Sequence, residues 1–197
     1  MTPSSESLVK LFSYYRDAEI RGAALLMKMM QRERDPEAQV LFSRHIADET
    51  RHAWMWTKRI KDEKALPVEV PDGYQRRLGK ALGIPGNLID LFALTVVVEE
   101  RSAKRYTEHA SSSICDEVSR PILVELTKDE KWHVAWMEDW LVKIARDQGK
   151  EDVLPETMER YRRIEEEVFG EMKEMERGWL GFSFSDFVEE PANAETG

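Results

Sequence analysis

One short signature occurs twice in this chain and constrains its fold more than any other feature. Each copy reads Asp-Glu-x-x-His, at Asp48–His52 and again at Asp129–His133, and each lies inside a long amphipathic stretch. Residues three apart in an α-helix share a face, so the glutamate and histidine of one copy can reach a common point. Carboxylate and imidazole groups are typical ligands of divalent metals, and two copies predict two metal ions.

A further glutamate stands upstream of each signature, in the preceding helical run. Glu19 precedes Glu49 by 30 residues, and Glu99 precedes Glu130 by 31. An alanine follows each upstream glutamate four residues later, and an aromatic-rich strip follows each histidine. This self-similarity indicates an internal duplication. The predicted ligand order is therefore Glu, Glu-x-x-His, Glu, Glu-x-x-His.

Apolar residues recur at helical spacing through most of the chain, and no strand-length alternation stands out. The chain is therefore predicted to be all-α, with four core helices, one long crossover between helices 2 and 3, and an additional C-terminal helix. The predicted helices run from Leu8 to Met30, from Pro36 to about Lys64, from about Asn87 to Ala110, from about Asp116 to Asp147 and over 155–177. The crossover spans 66–86, and a short helix is expected within it at 74–82.

A length of 197 residues with 42% hydrophobic content is enough for one substantial core. We predict a single domain over 1–190, with the core bundle at 8–149 and the extra helix packed outside it or against a second copy. The last segment, 191–197, is composed of small and polar residues and is expected to be disordered.

Composition disfavours several classes of function. A net charge of −9 disfavours binding to nucleic acid, because such binding draws on a basic surface. No apolar run is long enough for a transmembrane helix and no targeting segment is recognisable, so a cytoplasmic protein without a membrane partner is expected. Cys115 is the single cysteine, which excludes an intrachain disulfide and a Cys-x-x-Cys metal site. Electrons for any redox reaction would have to come from an external donor.

The ordered ligand set resembles that of the ferritin-like di-iron carboxylate superfamily, which includes the rubrerythrins and the di-iron oxygenases. The residues that carry the resemblance are Glu19, Glu49, His52, Glu99, Glu130 and His133. The resemblance implies a four-helix bundle that holds two iron ions, with two manganese ions or a mixed manganese and iron pair as alternatives. It also implies that Asp48 accepts the far N–H of His133 and that Asp129 accepts that of His52.

The two copies differ at one position that bears on the family branch. The first copy has the Asp-Glu-x-Arg-His form, with Arg51, which is similar to the form frequent in oxygenases. The second copy has Trp132 where that arginine would stand. We place Arg51 with Asp48 and Asp129 among the residues that support the ligands.

Other polar residues near the inward stripes are open to more than one interpretation. Glu99 competes with Glu100 for the ligand position, and the stripe favours Glu99. Tyr106, two turns further on, is a candidate catalytic residue together with Glu99, or else a core tyrosine. His45 lies one turn before Glu49 and is an extra ligand, a supporting donor or a satisfied core histidine. His109 points off the Glu99 line and is expected at the surface.

The leading functional hypothesis is a dinuclear oxidoreductase that activates dioxygen to oxidise a small apolar or amphipathic organic substrate. The alternatives are a peroxide-scavenging protein of the rubrerythrin or manganese catalase kind, and a non-catalytic ferritin-like iron-binding protein. The expected partners are the substrate, dioxygen or peroxide, and an external electron donor. A homodimer is the expected assembly.

Overall fold

A computed structural model of the chain describes residues 3–83 and 85–182, and over these residues it is helical with no strand. The predicted disordered tail, 191–197, lies outside the described residues. The helices are α1 (Ser5–Arg32), α2 (Pro36–Asp62), α3 (Tyr74–Leu82), α4 (Leu88–Ser111), α5 (Ser119–Asp147) and α6 (Leu154–Leu180), with a 3₁₀ turn at Glu151–Val153 before α6. The all-α prediction is confirmed.

Local capping chemistry explains where the helices begin. The side chain of Asp35 accepts a hydrogen bond from the backbone N–H of Glu37, and Pro36 occupies the first helical position of α2. Asn87 caps α4 in the same way by accepting from the N–H of Asp90. The short crossover helix, Tyr74–Leu82, lies where the sequence predicted it.

Four of the five long helices, α1, α2, α4 and α5, form two hairpins that enclose the core. Helix α1 packs mainly against α2, and α4 packs mainly against α5, while α3 lies in the crossover between the hairpins. The side chains of α4 from Leu91 to Glu99 are all buried, because both the facing hairpin and α6 cover this helix. Acidic residues of all four of these helices point into this core.

Helix α6 is fastened to the outside of α4 by two buried ion pairs. The guanidinium of Arg105 lies 2.6 Å from Glu176 Oε1, and that of Arg101 donates to both carboxylate oxygens of Glu165 at 2.7 and 2.6 Å. Tyr74 at the start of α3 also donates to Glu165, at 3.0 Å. The extra C-terminal helix therefore holds α3 and α4 together within one chain. Over residues 3–83 and 85–182, no helix is both long and apolar enough to cross a membrane.

Candidate metal centre

Helices α1, α2, α4 and α5 bring the six predicted ligands together in the middle of the core. None of these side chains belongs to a residue more than 4% exposed. They are Glu19 from α1, Glu49 and His52 from α2, Glu99 from α4, and Glu130 and His133 from α5. Residues distant in sequence thus share one buried site.

The potential ligand atoms form two overlapping groups, and within each group they lie within 4.8 Å of one another. The first group consists of Glu19, Glu49, His52 and Glu130. The second consists of His45, Glu49, Glu99 and His133. Glu49 belongs to both groups, so the two sites are adjacent and can share a carboxylate.

Each predicted histidine ligand turns one ring nitrogen inward and the other toward an aspartate. His52 Nδ1 lies 3.2 Å from Glu19 Oε2, and its Nε2 lies 3.3 Å from Asp129 Oδ2. His133 Nδ1 lies 3.4 Å from a Glu130 oxygen, and its Nε2 lies 3.6 Å from Asp48 Oδ2. The hydrogen bond that the resemblance implied is present between His52 and Asp129, whereas His133 Nε2 faces Asp48 without reaching hydrogen-bond distance. An aspartate at Nε2 favours a proton there and leaves the Nδ1 lone pair available to a metal.

A single guanidinium joins the two aspartates. Arg51 lies 2.5 Å from Asp129 Oδ2 and 3.3 Å from Asp48 Oδ1. In the second copy, Trp132 stands in place of the arginine and stacks against Arg44, whose guanidinium carbon is 3.6 Å from the ring centroid. Arg44 Nε in turn lies 3.9 Å from Asp48 Oδ2. Trp132 therefore holds the guanidinium of Arg44 near Asp48, although the second copy of the signature has no arginine of its own at this position.

The pKa values of two acids in the centre shift in opposite directions, because one is surrounded mainly by other acids and the other lies beside histidines. Burial, followed by repulsion from Glu19, Glu99 and Glu130, raises the pKa of Glu49 well above its usual range. Burial alone would also raise the pKa of Glu99, but His45 and His133 beside it hold that pKa well below its usual range.

The two predicted histidine ligands are strongly basic in the metal-free protein. Burial alone would lower the pKa of His52, but hydrogen bonds to Glu130 and Glu19 raise it to about 12. For His133, Glu130 and Glu99 likewise outweigh burial and raise the pKa to about 11. Without metal, the imidazolium charges therefore partly neutralise the cluster of acids, and bound metal would have to displace these protons.

His45 has a different role from His52 and His133, because a tryptophan determines its tautomer. Trp136 Nε1 donates a hydrogen bond to His45 Nδ1 at 3.2 Å. Burial lowers the pKa of His45, which favours the neutral ring, and a neutral imidazole has only one lone pair. The proton is then on Nε2, which lies 3.5 Å from Glu49 Oε1 and 3.6 Å from Glu99 Oε1. As arranged, Nε2 carries the proton and makes no hydrogen bond, so His45 can serve as a ligand in the second group only after this proton is lost.

Tyr106 and Glu99 occupy the places that the α4 stripe suggests. The phenol of Tyr106 donates a hydrogen bond to Glu19 Oε1, so it touches the first group of ligands. Burial, followed by repulsion from Glu19, raises the pKa of this phenol well above its usual range, which keeps it protonated as a donor. Glu100, the competing residue, instead pairs with Arg162 on the outside of the bundle.

The surface position expected for His109 is wrong. His109 is only 1% exposed, and its Nδ1 lies 3.3 Å from the hydroxyl of Tyr15. Burial lowers the pKa of His109 to about 3, so the ring is neutral in the core. The helical angle from Glu99 correctly places His109 off the line of ligands, but α1 covers α4 on that side as well.

Sequence reasoning did not single out Gly22, which shapes the site through its lack of a side chain. A Cβ built on Gly22 would overlap Glu49 Oε2. The position lies three residues after Glu19 on the same face of α1, so its proximity to the ligands was readable from helical spacing. The requirement for glycine at this position could not be read from the sequence, because it depends on how closely α2 approaches α1.

Two buried carboxylate oxygens in the centre indicate that a positive ligand fits. Glu49 Oε1 and Glu130 Oε1 are inaccessible to solvent and lack a partner in hydrogen-bond geometry, although a histidine ring nitrogen lies 3.5 Å from each. Unsatisfied buried carboxylate oxygens are costly unless a cation balances them. With imidazole nitrogens beside them, these oxygens suit Fe(II) or Mn(II). The residues present thus fit two divalent ions.

Comparisons of this chain with protein-family models, with curated proteins and with solved structures found no match.

Proposed function

We propose that the chain is a ferritin-like dinuclear-metal oxidoreductase, with two iron ions, that activates dioxygen to oxidise a small apolar or amphipathic organic substrate. The observation that carries the proposal is the pair of overlapping four-residue ligand groups that share Glu49 inside a helical core. The order of the ligands along four helices supports the ferritin-like assignment, as does a crossover between the second and third of those helices.

Charge balance supports two divalent ions rather than one. The four clustered glutamates carry about −4 when ionised, which two divalent cations neutralise in a site that water does not reach. A single ion would leave part of this charge buried and uncompensated. Two ions bound in the overlapping groups would satisfy both orphaned oxygens and share Glu49.

Iron bound here would supply electrons and open coordination positions for dioxygen. A balanced reaction is RH + O₂ + 2 e⁻ + 2 H⁺ → ROH + H₂O, in which the substrate C–H bond is oxidised. Two electrons come from the substrate and two from an external donor, as expected for a chain without its own Cys-x-x-Cys site.

The chain's own groups hold the ligands in place. Asp129 holds the ring of His52 by a hydrogen bond, and Arg51 neutralises both Asp129 and Asp48. Tyr106 restrains the carboxylate of Glu19 through the hydrogen bond that its buried phenol donates. Because these groups are preorganised by the packing of four helices, little rearrangement is needed when charge develops.

Metal stoichiometry tests the first half of the proposal. Protein purified without added metal, and the same protein loaded anaerobically with Fe(II), are analysed by elemental analysis. We expect about two ions per chain in the loaded protein, and a large loss in Glu130→Ala. Glu138→Ala, an exposed glutamate of the same helix, is the matched control and should bind as the parent does.

Oxygen uptake tests the second half. The reduced, loaded protein should consume dioxygen in an electrode chamber, and Glu130→Ala should not. Two bound irons without dioxygen uptake would refute the proposed activity. Faster turnover of hydrogen peroxide than of dioxygen would instead identify the peroxide-scavenging alternative, and accumulation of many irons per chain in a large assembly would identify storage.

A further inference from the structure

A cavity of about 290 Å³ lies beside the candidate metal centre, between α1, α3 and α4. Its lining includes Gly22 and Glu99. Gly22 is the residue against which the carboxylate of Glu49 packs, and Glu99 is a predicted ligand. The inner end of the cavity therefore reaches the edge of the centre formed by Glu49 and Glu99.

The wall of the cavity is mainly apolar. Its aliphatic residues are Leu25, Leu78, Leu91, Leu94 and Val98. The hydroxyl of Thr95 also lies on this wall, but it already donates to the carbonyl of Leu91 at 2.8 Å. A cavity of this size lies at the lower end of small-molecule sites, so it suits a small apolar ligand rather than a polymer.

Basic side chains line another part of the same cavity. Arg21, Lys28 and Arg76 contribute to its lining and are exposed. Arg21 is already paired with Asp17 at 2.6 Å. Over residues 3–83 and 85–182, neither Lys28 nor Arg76 has a carboxylate within ion-pair distance.

The crossover helix adds to this local positive charge. Helix α3 contains three basic residues and no acidic one, although the chain as a whole carries a net charge of −9; Arg77 and Lys80 pair with Asp72, which leaves Arg76 as its basic residue on the cavity. A basic helix beside an apolar cavity in an acidic protein would attract an anion locally and orient it. The division into an apolar wall and an exposed basic part matches a molecule with an apolar chain and one negatively charged end.

We infer that the cavity binds such an amphiphile, an aliphatic chain with a carboxylate or comparable anionic end group. The anion lies near Lys28 and Arg76, and the apolar chain extends toward Glu99. As a statement about the substrate, this inference rests on the proposed function. Burial of the chain supplies most of the affinity, while the exposed cations determine orientation and select against neutral molecules.

Calorimetric titration of the metal-free chain tests the binding site without any catalytic step. The probes are sodium octanoate and octan-1-ol, which share a chain length and differ in charge. Octanoate should bind more tightly than octanol. The double variant Lys28→Ala/Arg76→Ala should weaken octanoate binding about fivefold and leave octanol unchanged. Lys58→Ala removes an exposed lysine that does not line the cavity and should change neither affinity.

A blocking variant tests the location. Ala24 lines the cavity and is exposed, so Ala24→Phe adds volume there without overfilling the core. It should abolish binding of both probes while its circular dichroism stays that of the parent. Equal affinity for octanoate and octanol would overturn the anionic assignment. Absence of binding, or unchanged binding to Ala24→Phe, would overturn the cavity as the site.

These outcomes are separable from those of the proposed function. Octanoate binding by the metal-free chain with no dioxygen uptake by the loaded chain would refute the oxidoreductase and leave the binding site standing. Dioxygen uptake without octanoate binding would refute the cavity assignment alone.

Discussion

Replacing Gly22 by alanine should have two opposing effects on stability: a gain in helix propensity and a steric clash with the candidate metal centre. In a helix interior, alanine is more favourable than glycine by about 1 kcal/mol. At Gly22, however, the new Cβ would overlap Glu49 Oε2, and overfilling a packed core costs about 1–3 kcal/mol. The expected net effect on the free energy of unfolding is therefore between no change and a loss of about 2 kcal/mol.

The matched control is Gly170→Ala in α6, where a Cβ would meet no atom within 4 Å. This exposed position should show the full helix gain of about 1 kcal/mol. Urea denaturation of the two metal-free variants should thus differ by about 1–3 kcal/mol. The carboxylate of Glu49 is the nearest group to the new methyl and must rotate away, so Gly22→Ala should also bind less Fe(II) per chain than Gly170→Ala.

Measuring both the free energy of unfolding and the number of bound ions distinguishes an effect on the metal centre from a purely structural one. If Gly22→Ala gained as much stability as Gly170→Ala and still bound about two ions per chain, the close approach of α1 to Glu49 would not constrain the centre. That result would refute the reasoning. Loss of stability with full metal binding would show that the methyl is accommodated by movement of α1 rather than of the carboxylate.

Three further predictions concern protons, packing and tautomers. The pKa values of His52 and His133 are raised to about 12 and 11, so metal binding at pH 7 should release protons and should become tighter as pH rises. Calorimetry in buffers of different ionisation enthalpy measures the protons released. A metal affinity that does not change with pH would contradict this prediction. In the metal-free protein the same imidazoliums should stabilise the fold fully below pH 6.5 and progressively less as pH rises toward these values. Glu165→Ala should cost about 2 kcal/mol in urea denaturation by leaving the partly buried Arg101 of α4 without its ion pair. The exposed neighbour Glu166→Ala should cost little, and equal effects would refute the role of the pair. Trp136→Phe should remove the hydrogen-bond donor that determines the tautomer of His45. Nitrogen NMR of the metal-free protein should then show proton exchange between the two ring nitrogens of His45. An unchanged single tautomer would show that Trp136 is not the cause.

The helices were predictable because their signals are local. The side chains of Asp35 and Asn87 accept hydrogen bonds from the first backbone N–H groups of α2 and α4, so they predict where these helices begin. Pro36 at the first position of α2 supports the same prediction. The burial of His109 was not predictable in the same way. Its position depends on Tyr15 of α1, which approaches from another helix, and helical spacing within α4 carries no information about that neighbour.

The same division applies to the candidate centre. Doubled spacing placed Glu49 and Glu130 in one pocket, because a repeated ligand pattern on amphipathic helices allows few other arrangements. The repeat could not predict where the copies differ in function. His45 has no counterpart in the second half, and its tautomer follows from Trp136 of α5, a contact between helices. A donor from α5 to this ring leaves its other nitrogen protonated near Glu99, whereas the polar hydrogen beside Glu19 belongs to the phenol of Tyr106. We expect this difference to make the two metal positions inequivalent, because Glu19 belongs to one ligand group and Glu99 to the other.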